Sequence, residues 1–155
     1  MSGLMRGLLV GAAAGGAGTT ALNAVTYVDE ALRARAASST PETSVEKLAD
    51  AADVTVPGDE EERSNRIAGL GPLLGIATGV GVGALFGLAR AAGFRPSPVV
   101  GVLVTTGVVL VASNAPMTVL KVSDPRTWSV SDWVTDVIPH LAYGLVTHAT
   151  LDTTV

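Results

Sequence analysis

Apolar positions along this chain gather into three long runs and a fourth, interrupted one. The first extends from about Leu4 to Tyr27, broken only by Arg6 near its start and Asn23 near its end. The second runs from Ile67 to Leu88, with Arg90 just beyond it. The third, Pro98 to Leu120, opens with proline where the first turn of a helix tolerates it and stops at Lys121. The fourth, Trp133 to Leu151, carries Asp136, His140 and His148 within it. A helix needs about 20 mainly apolar residues to cross the hydrocarbon of a bilayer. The pattern therefore predicts an all-α, four-span transmembrane helical bundle, with spans at about 4–27, 67–88, 98–120 and 133–151 in one integral membrane domain over 1–155.

Between the first two runs lies a polar insert at about 29–66. In "STPETSVEKLADAA", Thr40 is placed to cap a helix whose first turn holds Pro41 and Glu42. Val45, Leu48 and Ala52 then share one face, which predicts a short amphipathic helix lying on the membrane or on the bundle. Further on, Asp59 is a candidate cap, followed by Glu60 to Glu62 at the positive end of the helix dipole. The second long helix is therefore expected to begin before it enters lipid.

The glycines are the least ordinary feature of the apolar runs. Gly71, Gly75, Gly79, Gly83 and Gly87 recur at every fourth position, and the first run has Gly7, Gly11 and Gly15, with Gly18 correcting the drift of that row. In water a mid-helix glycine costs about 1 kcal/mol relative to alanine. In lipid, helices gain little from apolar contact with each other, and small residues let backbones approach closely. Two glycine rows on successive helices joined by one connection predict an antiparallel contact seam between them. The same rows leave open a homodimer or a ring. A phosphate cradle is the other reading of "GLGPLLG" and "GVGVG", but that motif needs a strand before it, and these glycines sit inside an apolar helix.

Composition sharpens the membrane reading. Of 155 residues, 48% are hydrophobic and only 15% charged, against about 25% charged in ordinary soluble domains. Ten of the 14 acidic residues fall between Asp29 and Glu62. The net charge of −4 and the lack of a basic stripe argue against nucleic acid. The absence of cysteine excludes disulfides and thiolate metal sites. A cleaved signal peptide is disfavoured, because the first apolar run continues to Val28, beyond any small-residue cleavage point.

Four spans place several polar residues at one depth. Let side B be the face of the bilayer that carries the insert, and side A the other. At a rise of about 1.5 Å per residue, Asn23, Asn114, Asp136 and His140 all fall about 5 to 10 Å inside side B. Pro72, Pro116 and Pro139 share that layer, and each frees the carbonyl four residues back. On the fourth helix Ser129, Asp132, Asp136, His140, Tyr143 and Thr147 form one polar arc, whereas His148 and Asp152 lie off it near side A. Asp136 and His140 are four apart and able to pair. Ionisable groups inside a membrane are costly and tend to be functional. The candidate cluster is thus Asn23, Asn114, Asp136, His140 and Tyr143, read either as interhelical glue or as the lining of a polar cavity. No metal or cofactor is expected, since His148 is on the wrong face to complete a ligand set. No serine has the surroundings of a nucleophile. Trp128, Trp133 and Tyr27 are expected as interfacial anchors on side B.

The C-terminal stretch "NAPMTVLKVSDPRTWSVSDWVTDVIPHLAYG" resembles small bacterial inner-membrane proteins of the YagU-like family, whose biochemical activity is unassigned. The shared features are a proline-broken third helix, an aromatic near the start of the last helix, an acid after it, and His-Leu followed by an aromatic. Here they correspond to Pro116, Trp128, Asp136, His140, Leu141 and Tyr143. The loop "RARAASSTPE" is similar to the segment after that family's first helix. The lack of cysteine and the acidic insert depart from the pattern. The resemblance implies a multi-span inner-membrane fold with both termini in the cytoplasm, and no mechanism.

Basic residues point the other way on orientation. Arg33, Arg35, Lys47, Arg63, Arg66, Lys121 and Arg126 lie on side B against Arg6, Arg90 and Arg95 on side A, which puts the insert in the cytoplasm. The expectation is a multi-pass protein of a bacterial plasma membrane, non-enzymatic, that scaffolds or modulates a membrane partner or acts as a homo-oligomer. The alternative is a transport or proton-coupled role through the polar cluster.

Overall fold

The computed structural model describes residues 2–154, which form five α-helices and one 3-10 turn, with no strand among them. The helices are α1 (Gly3–Arg33), α2 (Thr40–Ala51), α3 (Glu60–Ala91), α4 (Pro98–Val119) and α5 (Val130–Thr154), and the 3-10 turn is Pro125–Thr127. Helices α1, α3 and α4 are long and apolar enough to cross a membrane. Helix α5, with 25 residues, has the length. Its aspartates, histidines and threonines leave it too polar to join the other three on composition.

The four long helices close a ring in which α1 packs on α3 and α5, and α4 packs on α5 and more loosely on α3. The short α2 lies against α3. At about 46 Å and 48 Å, α1 and α3 exceed the roughly 30 Å of hydrocarbon, so both project beyond it. Their overhang on side B carries Asp29, Glu30 and Arg33 on α1 and residues 60–66 on α3. Asp59 caps α3 with a reciprocal box: its carboxylate accepts from Glu62 N at 2.9 Å, and Glu62 accepts from Asp59 N at 3.3 Å.

The cap of α2 falls one residue earlier than the sequence suggests. Thr40 is the first helical residue and Ser39 the cap; the Ser38 hydroxyl, not a Thr40 side chain, accepts the Thr40 N–H at 3.2 Å. The apolar face of α2 is also misjudged. Ser44 is its buried residue, while Leu48 and Ala52 are exposed. The helix is seated on α3 through its first turn, where Pro41 and Glu42 meet Gly71, and through an Arg63–Glu46 ion pair at 3.5 Å.

The close approach of α1 and α3 uses three glycines from each helix. A Cβ added to Gly7 would lie 2.6 Å from the Gly87 carbonyl oxygen. One added to Gly87 would lie 2.6 Å from Gly11 Cα. Gly11 and Gly15 likewise face the carbonyls of Gly83 and Gly79. The order 7, 11, 15 against 87, 83, 79 is that of antiparallel helices. Gly71 and Gly75 do not belong to this contact: Gly71 faces α2, and Gly75 is exposed with open space around it. A four-residue step turns about 40° past a full helical revolution, so a row of five glycines sweeps about 160° and leaves any straight interface. Gly18 has also rotated out of the row and faces Tyr143 and Thr147 of α5.

Burial is inverted relative to a protein that folds in water. The buried set is dominated by glycine, threonine and polar residues, with Val82, Val109 and Tyr143 as its compact apolar cluster. Leu85, Leu103, Val111, Leu73, Ile138 and Leu145 face outward. The described residues expose 8913 Å², against about 7,200 Å² for a compact soluble protein of this size. An outward surface this rich in large apolar side chains suits an apolar surrounding.

Replacing glycine by alanine separates the packed positions from the open one. Gly11→Ala and Gly83→Ala are expected to destabilise the detergent-solubilised protein by about 1–3 kcal/mol each through overpacking. Gly75→Ala should leave stability unchanged or raise it by up to about 1 kcal/mol. Thermal unfolding of the three variants against wild type checks the order.

Candidate polar site in the bundle

The polar face of α5 begins outside the apolar part of the helix. Ser129 and Asp132 form a capping pair at its start: Ser129 N–H donates to Asp132 Oδ2 at 2.9 Å, and Asp132 N–H donates to Ser129 Oγ at 3.2 Å. Hydrogen bonds from the Ser129 hydroxyl and backbone hold the Asp132 carboxyl below the ordinary aspartate range. Trp128 and Trp133 meet edge to face at 5.0 Å in the same region, and the Trp128 indole N–H donates to Ser123 Oγ at 2.8 Å. The Arg33 guanidinium reaches across from the end of α1 to the hydroxyls of Thr135 at 3.1 Å and Ser131 at 3.2 Å. These contacts tie the side B ends of α1 and α5 together.

One to two turns further along, α4 and α5 share a polar cluster. Asn114 Nδ2 donates to Asp136 Oδ2 at 2.9 Å, joining the two helices. His140 Nδ1 lies 2.7 Å from the Asp136 carbonyl oxygen and 3.5 Å from its carboxylate. A carbonyl only accepts, so Nδ1 carries the hydrogen in that contact. His140 Nε2 faces Ser113 Oγ on α4 at 3.4 Å. Asn114 and His140 are buried and Asp136 half-buried, while Asn114 Oδ1 is buried without a partner.

Of the five residues expected to converge, Asn114, Asp136 and His140 do. Asn23 does not: it is half-buried on α1, and its side chain makes no hydrogen bond among the described residues. Depth alone places it in the layer, but the ring puts α4 across the bundle from α1. Tyr143 is fully buried but turns to α3, where its hydroxyl donates to the Gly79 carbonyl at 2.6 Å. One turn later Thr147 Oγ1 donates to the Ala14 carbonyl of α1 at 3.4 Å. Carbonyls on glycine- and alanine-lined faces lack side-chain cover, which is why hydroxyls from a neighbouring helix can reach them.

A second buried polar group lies near side A. Arg90, at the end of α3, is buried and pairs with half-exposed Asp152 at the end of α5. His148 is buried against Gly101 of α4, where a Cβ would overlap its ring. The sequence reading set His148 and Asp152 aside as lying off the polar arc. Helix α5 has two buried faces: Tyr143 and Thr147 turn to α1 and α3, while Gly144 and His148 turn to α4. The signal was present in the four-residue spacing of His148 and Asp152 and in Arg90 at the matching depth.

Val82, Val109 and Tyr143 lie between the two polar groups and pack together. No group of three or more metal-binding side chains occurs among the described residues. No family model, curated protein or solved structure matches the chain.

Removing either partner of the interhelical bond tests its worth. Asn114→Ala and Asp136→Ala should each lower the unfolding temperature in detergent, and the double variant should lose less than their sum. The coupling is expected to be about 0.6 kcal/mol, the average of double-mutant cycles within membranes, and at most about 1.7 kcal/mol. Additive losses would show that the bond contributes nothing.

Proposed function

We propose that the chain is a four-span protein of a bacterial plasma membrane that acts without catalysis, as a scaffold or modulator of a membrane complex or as a homo-oligomer. The observation that carries this reading is the interior. Asn114 bonds to Asp136 across α4 and α5, and the Tyr143 and Thr147 hydroxyls bond to backbone carbonyls of α3 and α1. Val82, Val109 and the Tyr143 ring pack together between the two polar groups. Polar groups engaged between helices, around a packed centre, favour glue over a cavity. The large apolar exterior supports the membrane setting of this reading. The resemblance of the C-terminal half to YagU-like inner-membrane proteins adds a multi-span setting and no activity.

The fourth span belongs to the proposal. Helix α5 runs antiparallel to α1 along its length, from Arg33 on Thr135 to Arg6 on the Thr154 carbonyl. If α1 crosses the bilayer, α5 lies at the same depth throughout, and its polar groups turn inward. The glycine contact between α1 and α3 then supplies the close packing that lipid-embedded helices need. The count of basic residues on side B supports a cytoplasmic insert, against the orientation that the YagU-like resemblance implies.

Topology and mass test the proposal together. Compartment reporters fused at each end should read the same side, and one placed in the insert at Ala37 the opposite side. Ends on different sides would mean that α5 does not cross. In gentle detergent the purified complex should exceed the mass of one chain, and a clean monomer would count against the scaffold or oligomer. His140→Cys, the sole cysteine in such a variant, should resist a membrane-impermeant thiol reagent in intact vesicles. Rapid labelling would favour the cavity.

A further inference from the structure

We propose that the outward face of α1 docks a second copy of this chain, with the Asn23 amides of the two copies paired across the contact. Leu9, Ala13, Gly16, Thr20, Asn23 and Tyr27 follow one another at alternating spacings of four and three residues. At about 100° per residue they fall within an arc of about 80°. That arc is separate from the face that Gly7, Gly11, Gly15 and Gly18 turn to α3 and α5. Leu9, Ala13, Thr20 and Tyr27 are exposed, Asn23 is half-buried, and a Cβ added to Gly16 meets nothing within 4 Å. From Leu9 to Tyr27 the face rises about 27 Å, close to the thickness of the hydrocarbon. A repeat of 3.5 residues sustained that far is the pattern of helices packed at about 20°. In the single chain most of it stays uncovered.

Asn23 decides what covers the face. Small residues only permit a close approach, whereas an amide in hydrocarbon requires a partner, since no water is there to supply one. Thr20 has no such need, because its hydroxyl donates to the Gly16 carbonyl of its own helix at 3.0 Å. Tyr27 lies at the side B edge, where its hydroxyl meets headgroups. The Asn23 side chain makes no hydrogen bond among the described residues, and lipid tails offer none. Two copies inserted in the same orientation, related by a two-fold axis along the membrane normal, set each position of this face against itself at one depth. A primary amide both donates and accepts, so two Asn23 side chains satisfy each other. A different protein would have to present a matching polar group at that depth; a second copy does so by symmetry.

The contact uses the outside of α1 and leaves the glycine contact with α3 untouched. Ala13 and Gly16 let the two α1 helices come close beside the amide pair, and Leu9 and Tyr27 close the ends of the seam. This inference deepens the homo-oligomer of the proposed function and rests on it, as it does on α1 crossing the bilayer.

Single cysteines report the contact cleanly, because the chain has none of its own. Full-length Ala13→Cys and Thr20→Cys variants, oxidised with copper phenanthroline in isolated membranes, should each give a covalent species of twice the chain mass. Val111→Cys and Leu145→Cys, on the outward faces of α4 and α5, should not. In reconstituted vesicles Asn23→Leu should weaken the Thr20→Cys dimer about sevenfold, the equivalent of two membrane hydrogen bonds of average strength, read as cross-link yield against dilution in lipid. Gly16→Leu should abolish that cross-link without lowering the unfolding temperature in detergent, since a Cβ there meets nothing in the single chain. Yields indifferent to both substitutions would overturn the inference. So would a cross-linked species of another mass, which would put a different protein on the face. Cross-linking through Val111 or Leu145 alone would overturn it and leave an oligomer of other geometry. Silence at all four cysteines would overturn it too, and the mass of the complex in gentle detergent then says whether the oligomer itself survives.

Discussion

Contact between bare backbones of α1 and α3 sets the geometry of this bundle. Where Gly7, Gly11 and Gly15 oppose Gly87, Gly83 and Gly79, no side chain keeps the helices apart. Such an interface buries little apolar area, so in water it could not offset the conformational entropy of ordering two long helices. In hydrocarbon the comparison changes, because leucine gains nothing by leaving lipid and packing decides. The same bareness leaves carbonyls reachable, and Tyr143 uses the one at Gly79 while Thr147 uses the one at Ala14. Close packing and interhelical hydrogen bonding therefore have one origin in the sequence.

From this follows the inversion of inside and outside. Leucine, isoleucine and valine turn to the surroundings, while glycine, threonine, histidine and asparagine turn inward. An unpaired polar group is costly in such an interior, so the polar residues occur in company: Asn114 with Asp136, Asp136 with His140, Arg90 with Asp152. The two groups lie toward opposite faces, with Val82, Val109 and Tyr143 between them. On α5 the buried polar groups turn toward neighbouring helices, while Ile138 and Leu145 face outward.

Much of this was legible in the sequence because it rests on local rules. Long apolar runs mark α1, α3 and α4; Asp59 with Glu62 marks the start of α3; four-residue spacing marks the Asp136–His140 pair. Rules that depend on rotation about a helix carried less far. The glycine row looks like one face, but its drift sends Gly71 to α2 and leaves Gly75 outside. Depth put Asn23 in the polar layer, and only the order of helices around the ring separates it from Asn114. His148 was set aside because a single polar arc was assumed for α5, whereas a helix wedged between neighbours has two buried faces. Helix α5 is the least legible element, since a helix that turns its polar groups to its partners looks too polar on its own.

The central claim is that the outward apolar faces of all four long helices lie in hydrocarbon. Spin labels at Leu85 on α3, Val111 on α4 and Leu145 on α5, each at least half exposed in the monomer, measure this directly in reconstituted bilayers through collision with oxygen or with a polar nickel reagent. All three labels should collide with oxygen and be shielded from nickel. Ready collision with nickel at Leu85 and Val111 would contradict the account; at Leu145 alone, it would remove α5 from the membrane and leave three spans.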